Sequence, residues 1–174
     1  MAKRRVVRVD HHRTMHARYV EGITVRQLRN GDTQTVAALF GRLGARSREL
    51  RFCGAKPRLR EEELAALARV DGDHHVLVAY VDGDAEPAGM ARLVRDGASA
   101  EIAFEVADAH QGRGIGSVLA RELASDARAA GITELVATVC GDNAAVVSLL
   151  KRVARSLHVT WEGREREFVV GLER

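Results

Sequence analysis

Apolar and polar residues alternate over Ile23-Thr24-Val25-Arg26-Gln27-Leu28-Arg29, the period of a half-buried strand. Asn30-Gly31-Asp32 supplies a turn and a helix cap, and Val36, Leu39, Phe40 and Leu43 then recur at helical spacing as far as Gly44. A second helical stretch is expected over 47–52, broken by Gly54 and Pro57, and a third over 61–70 with Leu64, Leu67 and Ala68 on one face. The apolar run 76–81 suits a strand covered on both faces, Asp82-Gly83-Asp84 a hairpin turn, and 88–94 the returning strand. His74-His75, at the edge of that strand, read as polar surface rather than as a catalytic or metal pair.

The second half predicts a strand over 100–104, a glycine-rich turn, and a helix whose buried stripe is Val118, Leu119, Leu123 and Ala127, stopping at Gly131. The strand over 132–139 must then run parallel to 100–104, because a strand-helix-strand unit with short joints is a right-handed crossover. Asp142-Asn143 caps a helix with apolar positions Ala145, Val146, Leu149, Leu150 and Val153. Segments 157–161 and 167–172 form a terminal hairpin. The class is α/β, with a single mixed central sheet flanked by helices.

At 174 residues and 46% hydrophobic content, one well-buried domain is expected. Six basic residues against Asp10 in positions 1–20 exceed the whole net charge of +3, so the rest of the chain is net acidic. This divides the chain into a basic arm over 1–22, read as a solvated extension, and a domain over 23–174. No apolar run approaches the ~20 residues of a membrane span, and the first 20 residues lack a signal-peptide block, so a cytoplasmic protein is expected. Cys53 and Cys140 stand far apart in sequence without a CxxC pair, which predicts two reduced thiols and no metal site.

The chemistry concentrates at Gln111-Gly112-Arg113-Gly114-Ile115-Gly116-Ser117. Alternate glycines opening a helix let bare backbone approach a ligand with several N–H groups aimed at it, which suits a phosphate. A P-loop would need Lys-Ser/Thr after the last glycine, and none is there. A dinucleotide fold would put its glycines directly after the strand and an acid at the end of the next one, whereas 107–110 intervene and the next strand ends in Cys140-Gly141.

The turn resembles the Q/R-x-x-G-x-G/A signature of the GNAT N-acetyltransferase superfamily, and Ala100-Glu101-Ile102-Ala103-Phe104 resembles that family's fourth strand. The resemblance implies the acyl-CoA N-acyltransferase fold and acetyl-CoA as cosubstrate. The backbone of Gln111, Gly112, Arg113, Gly114, Ile115, Gly116 and Ser117 would hold the pyrophosphate, and the N–H groups near Phe104 and Val106 would meet the thioester oxygen. Asn143 opens the family's last helix. Amine acylation needs a base, since an alkylammonium has a pKa near ~10.4. The family pattern puts Glu101 in that role, with Glu105 on the same face as the rival. Glu101 lies one residue nearer the turn than in the eukaryotic histone-acetylating members, so a bulge is one way to change which carboxylate faces the groove. The family's tyrosine acid falls at Leu150, and Ala154-Arg155-Ser156 stands where Gly-Phe is usual. A thiolate of pKa near ~8.5 leaves without much help, so these departures bear on the general acid rather than on CoA binding.

Residues 46–53, 59–67, the Glu101 strand and the Gln111 turn together resemble the bacterial protein lysine acetyltransferase (Pat-type) catalytic domain, over most of 23–154. That implies a protein lysine as the amine acceptor, with a homodimer left open. The alternatives are a small-molecule amine, aminoglycoside or polyamine, facing Glu61-Glu62-Glu63, or a non-catalytic acyl-CoA-binding module. The triplet is also what the first turn of a helix favours. Nucleic acid is the least favoured partner, since aromatic residues do not interleave the basic arm.

Overall fold

The computed structural model describes residues 5–6 and 17–172. Nine strands are described: β1 (Arg5–Val6), β2 (Arg18–Val20), β3 (Ile23–Gln27), β4 (His74–Val81), β5 (Gly89–Asp96), β6 (Ser99–Val106), β7 (Glu134–Cys140), β8 (Ser156–Glu162) and β9 (Glu165–Gly171). They make one sheet in the order β1-β2-β3-β4-β5-β6-β7-β9-β8. Every described neighbour pair is antiparallel except β6 and β7, the crossover pair. Five α-helices cover the sheet: α1 (Thr33–Gly41), α2 (Ala45–Phe52), α3 (Glu61–Leu67), α4 (Ile115–Ala129) and α5 (Ala144–Val153).

The apolar periods explain the layers. On one face Val118, Leu119, Leu123 and Ala127 of α4, with Leu150 and Val153 of α5, pack on Leu93, Ile102, Phe104 and Leu135. On the other, Val36 and Leu39 of α1 and Ala68 after α3 pack on Val76, Val78 and Met90. Each such leucine, fully buried, contributes about 1.5–3 kcal/mol of transfer free energy. The short helices α2 and α3 differ from the others, because none of their residues is buried.

Caps set the boundaries. Asp32 Oδ1 accepts from the Thr35 N–H at 3.0 Å and Asn143 Oδ1 from the Val146 N–H at 3.2 Å, each satisfying a free donor of the first turn. The third helix ends at Leu67 rather than at 70, because the Val70 N–H turns away to Asn30 Oδ1 at 2.9 Å. Within the span read as a basic arm, Arg18–Val20 is a strand paired on β3. Its Arg18 Nη1 donates to Glu122 Oε2 of α4 at 2.8 Å, and its Nη2 to Asp126. The rest of that reading, over 1–4 and 7–16, lies outside the described residues. His75 of β4 joins this network through Nε2, 2.9 Å from Asp126 Oδ2, so it is a half-buried tie rather than plain surface.

Cys53 and Cys140 correct the expectation of two separate thiols: they are bonded as a disulfide, with Cα atoms 5.4 Å apart. Separation along the chain does not measure separation in space. The helix α2 crosses the β6 and β7 ends and delivers Cys53, its C-cap, beside the last residue of β7.

Candidate active site

The parallel pairing of β6 with β7 lasts three residues, Ser99↔Glu134, Ala100↔Leu135 and Glu101↔Val136. Beyond Glu101 the two strands part, and a groove of about 1310 Å³ opens between them, lined also by α2, the glycine turn, and the starts of α4 and α5. Antiparallel pairing on the other side of β6 continues, from Gly89↔Val106 to Asp96↔Ser99, in unbroken register. No bulge therefore interrupts this ladder, and Glu101 and Glu105 stand on one face of β6, four residues apart.

The same alternation orients the backbone. The Ala107 N–H donates to Ala88 O at 2.9 Å, on the β5 side, so the N–H groups of Val106 and Phe104 point the other way, into the opening. Among the described residues they have no strand partner there.

The two carboxylates differ. Glu101 is exposed at the apex of the opening. Glu105, the rival base, has a side chain only 9% exposed, and its Oε2 sits 3.2 Å from Arg51 Nε of α2. Burial pushes the Glu105 carboxyl up, against the pull of Arg51 and Arg92. Glu61, Glu62 and Glu63 are absent from the groove lining. They form the first turn of α3, where Glu63 accepts from the Arg60 N–H at 2.9 Å and pairs with Lys56. The Arg60 N–H, then Lys56 and the Arg60 side chain, hold the Glu63 carboxyl down to about 2.

At the other end, Gly112 (φ 74°) and Gly114 (φ 83°) take left-handed conformations that favour glycine. Gly114 is the N-cap of α4, and the first bond within that helix is Val118 N–H to Gly114 O at 3.0 Å. The N–H groups of Ile115, Gly116 and Ser117 are therefore the free donors of a helix start facing the groove, a ready anion site. A Cβ on Gly114 would meet nothing within 4 Å, so backbone conformation and ligand approach decide that glycine. A Cβ on Gly116 would meet Leu149 Cδ1 of α5 at 3.0 Å, so that one serves helix packing.

The side chains of the turn face inward to hold its shape. Gln111 Nε2 donates to Val106 O and to Ser47 Oγ of α2, both at 3.1 Å, and Ser47 Oγ donates to Asp108 Oδ1 at 2.7 Å. Arg113 Nη1 donates to Nδ1 of the buried His110 at 2.7 Å. Since a guanidinium only donates, that nitrogen accepts, while Nε2 lies 3.0 Å from both Asp84 Oδ2 and Arg42 Nη2. Asp84 is held well below the usual carboxylate range by Arg42, the Glu86 N–H and His110. Asn143 lines the groove while capping α5. Leu150 is fully buried in the core and has no proton to give.

Arg51, Ser47, Asp108, His110, Asp84 and Arg42 were not among the expected site residues. For Arg51 and Ser47 the one signal available was that α2 buries none of its residues in the core, which leaves polar side chains to do much of the fixing. Among the described residues, no helix is long and apolar enough to cross a membrane.

Residues 45–154 match the family model described as Acetyltransferase (GNAT) family. Acetyltransferase Pat of Mycolicibacterium smegmatis (strain ATCC 700084 / mc(2)155) is 37% identical over 94 residues, covering 52% of this chain and 28% of that protein. The chain thus spans under a third of the length of that curated relative. The crystal structure of the GNAT domain of S. lividans PAT superposes with a TM-score of 0.77 at 27% identity, over 86% of this chain and 90% of that one. The putative acetyltransferase yncA from Salmonella typhimurium, solved with its cofactor acetyl-CoA, gives a TM-score of 0.63 at 20% identity, over 88% and 95%, and shares the fold.

Proposed function

This chain belongs to the GNAT family of acetyltransferases, which use acetyl-CoA, and on that premise we propose that it acetylates the ε-amine of a protein lysine in the cytoplasm, with Glu101 as general base. The observation that carries the reading is the place of Glu101: exposed, at the last paired position before β6 and β7 part. The groove fits the cosubstrate in its donors: free N–H groups at the start of α4 for a pyrophosphate, and those of Phe104 and Val106 for a carbonyl oxygen.

Acetyl-CoA supplies an activated thioester. Glu101 takes the ammonium proton, directly or through water, and the amine left neutral is the nucleophile. The Phe104 and Val106 N–H groups stand where charge develops on the thioester oxygen. Glu105 is a poor base in this arrangement, because Arg51 occupies its carboxylate. The protein lysine is supported by the relationship to Pat and by the absence of the Glu61-Glu62-Glu63 carboxylates from the groove lining.

The test is mass spectrometry of a lysate incubated with the protein and labelled acetyl-CoA. Label on protein lysines is expected; label confined to small molecules would overturn the acceptor. Buried Leu150 favours one second reading, an acyl-CoA-binding module without turnover. Binding of acetyl-CoA with no thiol release on any amine of a panel would select it.

A further inference from the structure

We propose that Cys53 and Cys140 form a thiol–disulfide exchange site, reactive toward dithiols, whose redox state sets how firmly α2 closes on the groove that Glu101 lines. Three observations carry it. The bridge joins the C-cap of α2 to the end of β7, where β6 has already parted from it, and so spans the mouth of the groove. Cys53 lines that groove. Its backbone is left-handed (φ 55°, ψ 32°), a conformation that costs a residue with a Cβ of order 1 kcal/mol or more. Glycine is the usual occupant of a helix C-terminus of this shape.

The second observation is what else holds α2. It buries no residue in the core, and most of its described ties are polar: the Gly44 N–H and Ser47 Oγ to Asp108, Arg48 Nη2 to Phe40 O, and Arg51 to Glu105, with one edge contact between the Phe52 and Phe40 rings. A helix that buries none of its own residues belongs to the low-stability end of local opening, so a covalent tie there changes its freedom more than one in the core would.

The third is access. Cys53 is exposed and Cys140 is buried, so an incoming thiolate reaches the Cys53 sulfur first. That attack forms a mixed disulfide on Cys53 and expels the Cys140 thiolate, which takes a proton from water. The second thiolate of the dithiol then attacks its own mixed-disulfide sulfur and expels the Cys53 thiolate, protonated in turn. Two electrons and two protons pass from dithiol to protein. Disulfides in a reducing compartment are characteristically of this reversible kind. Only the compartment and the acceptor rest on the proposed function; the exchange chemistry does not.

The experiment compares diamide-oxidised protein, dithiothreitol-reduced protein and the Cys53→Ser/Cys140→Ser double variant. Iodoacetamide should add two groups only after reduction. Amide exchange over 45–52 should speed up about tenfold on reduction, and the KM for Nα-acetyl-lysine methyl ester should rise about fivefold. The double variant should behave as reduced under both treatments. Two alkylations after diamide, exchange over 45–52 indifferent to reduction, or one zinc ion held stoichiometrically by the reduced Cys53, Cys140 and Glu165 cluster would each overturn the proposal. Amide exchange is read without any acceptor, so a failure of the acetylation reading leaves this test decisive.

Discussion

Arg51 Nε of α2 lies 3.2 Å from Glu105 Oε2 of β6, with the two side chains 17% and 9% exposed. The pair ties α2 to β6 four residues from Glu101, and it fixes a sign. Burial holds the Glu105 carboxyl above its ordinary value of 4.5, so the folded chain keeps that proton more tightly than the unfolded chain. The stability Glu105 contributes is then fully present below its unfolded value and is lost as pH rises through the folded one. Glu105→Gln lacks this dependence, so its cost should be larger at pH 4 than at pH 7. Urea midpoints of the two proteins at both pH values check this; an equal or reversed difference would count against the buried, disfavoured carboxylate.

Glu101→Gln keeps shape and removes basicity. Turnover at neutral pH should fall by ~10²- to 10⁴-fold and recover in part at high pH as the amine loses its own proton. Acetyl-CoA affinity should stay as it is. A pH–rate profile parallel to that of the unsubstituted protein would pass the role to water.

The two helix-start glycines should fail differently. Gly114→Asp puts a carboxylate and a left-handed non-glycine into an anion site with open space around it, and calorimetry should show acetyl-CoA binding abolished with the fold kept. Gly116→Val drives a side chain into Leu149, so about 1–3 kcal/mol of stability should be lost as α4 and α5 are forced apart. Denaturant midpoints give the second number; an unchanged midpoint would mean that Leu149 simply moves aside.

His110→Ala removes the acceptor of Arg113 and leaves the Arg42–Asp84 pair in place. Arg113 is then free to swing away from the turn, and acetyl-CoA should bind about fivefold more weakly, since a lost hydrogen bond to a charged group is worth about 1.5–3 kcal/mol before compensation. The kcat should be unaffected. A reduced kcat at unchanged affinity would relocate His110 to the acetyl-transfer step itself.

Much of the architecture follows from periodicity along the chain. The stripe Val118, Leu119, Leu123, Ala127 fixes which face of α4 is buried, and the short joints on either side of α4 fix β7 as the parallel neighbour of β6. The glycine turn and the Glu101 strand were legible for the same reason: backbone conformation and strand alternation are local properties, written within a few residues. What the tertiary structure decided is where distant segments meet. Glu105 is acidic in the sequence, but only the arrival of Arg51 from α2, 54 positions earlier in the chain, makes it a buried ion pair. Cys53 and Cys140 are 87 residues apart and bonded, and Arg42, Asp84 and the His110–Arg113 turn form one polar network across three segments. Polar partners carry no period, because a single hydrogen bond or disulfide needs one position on each side, and which two positions meet is set by how the layers stack.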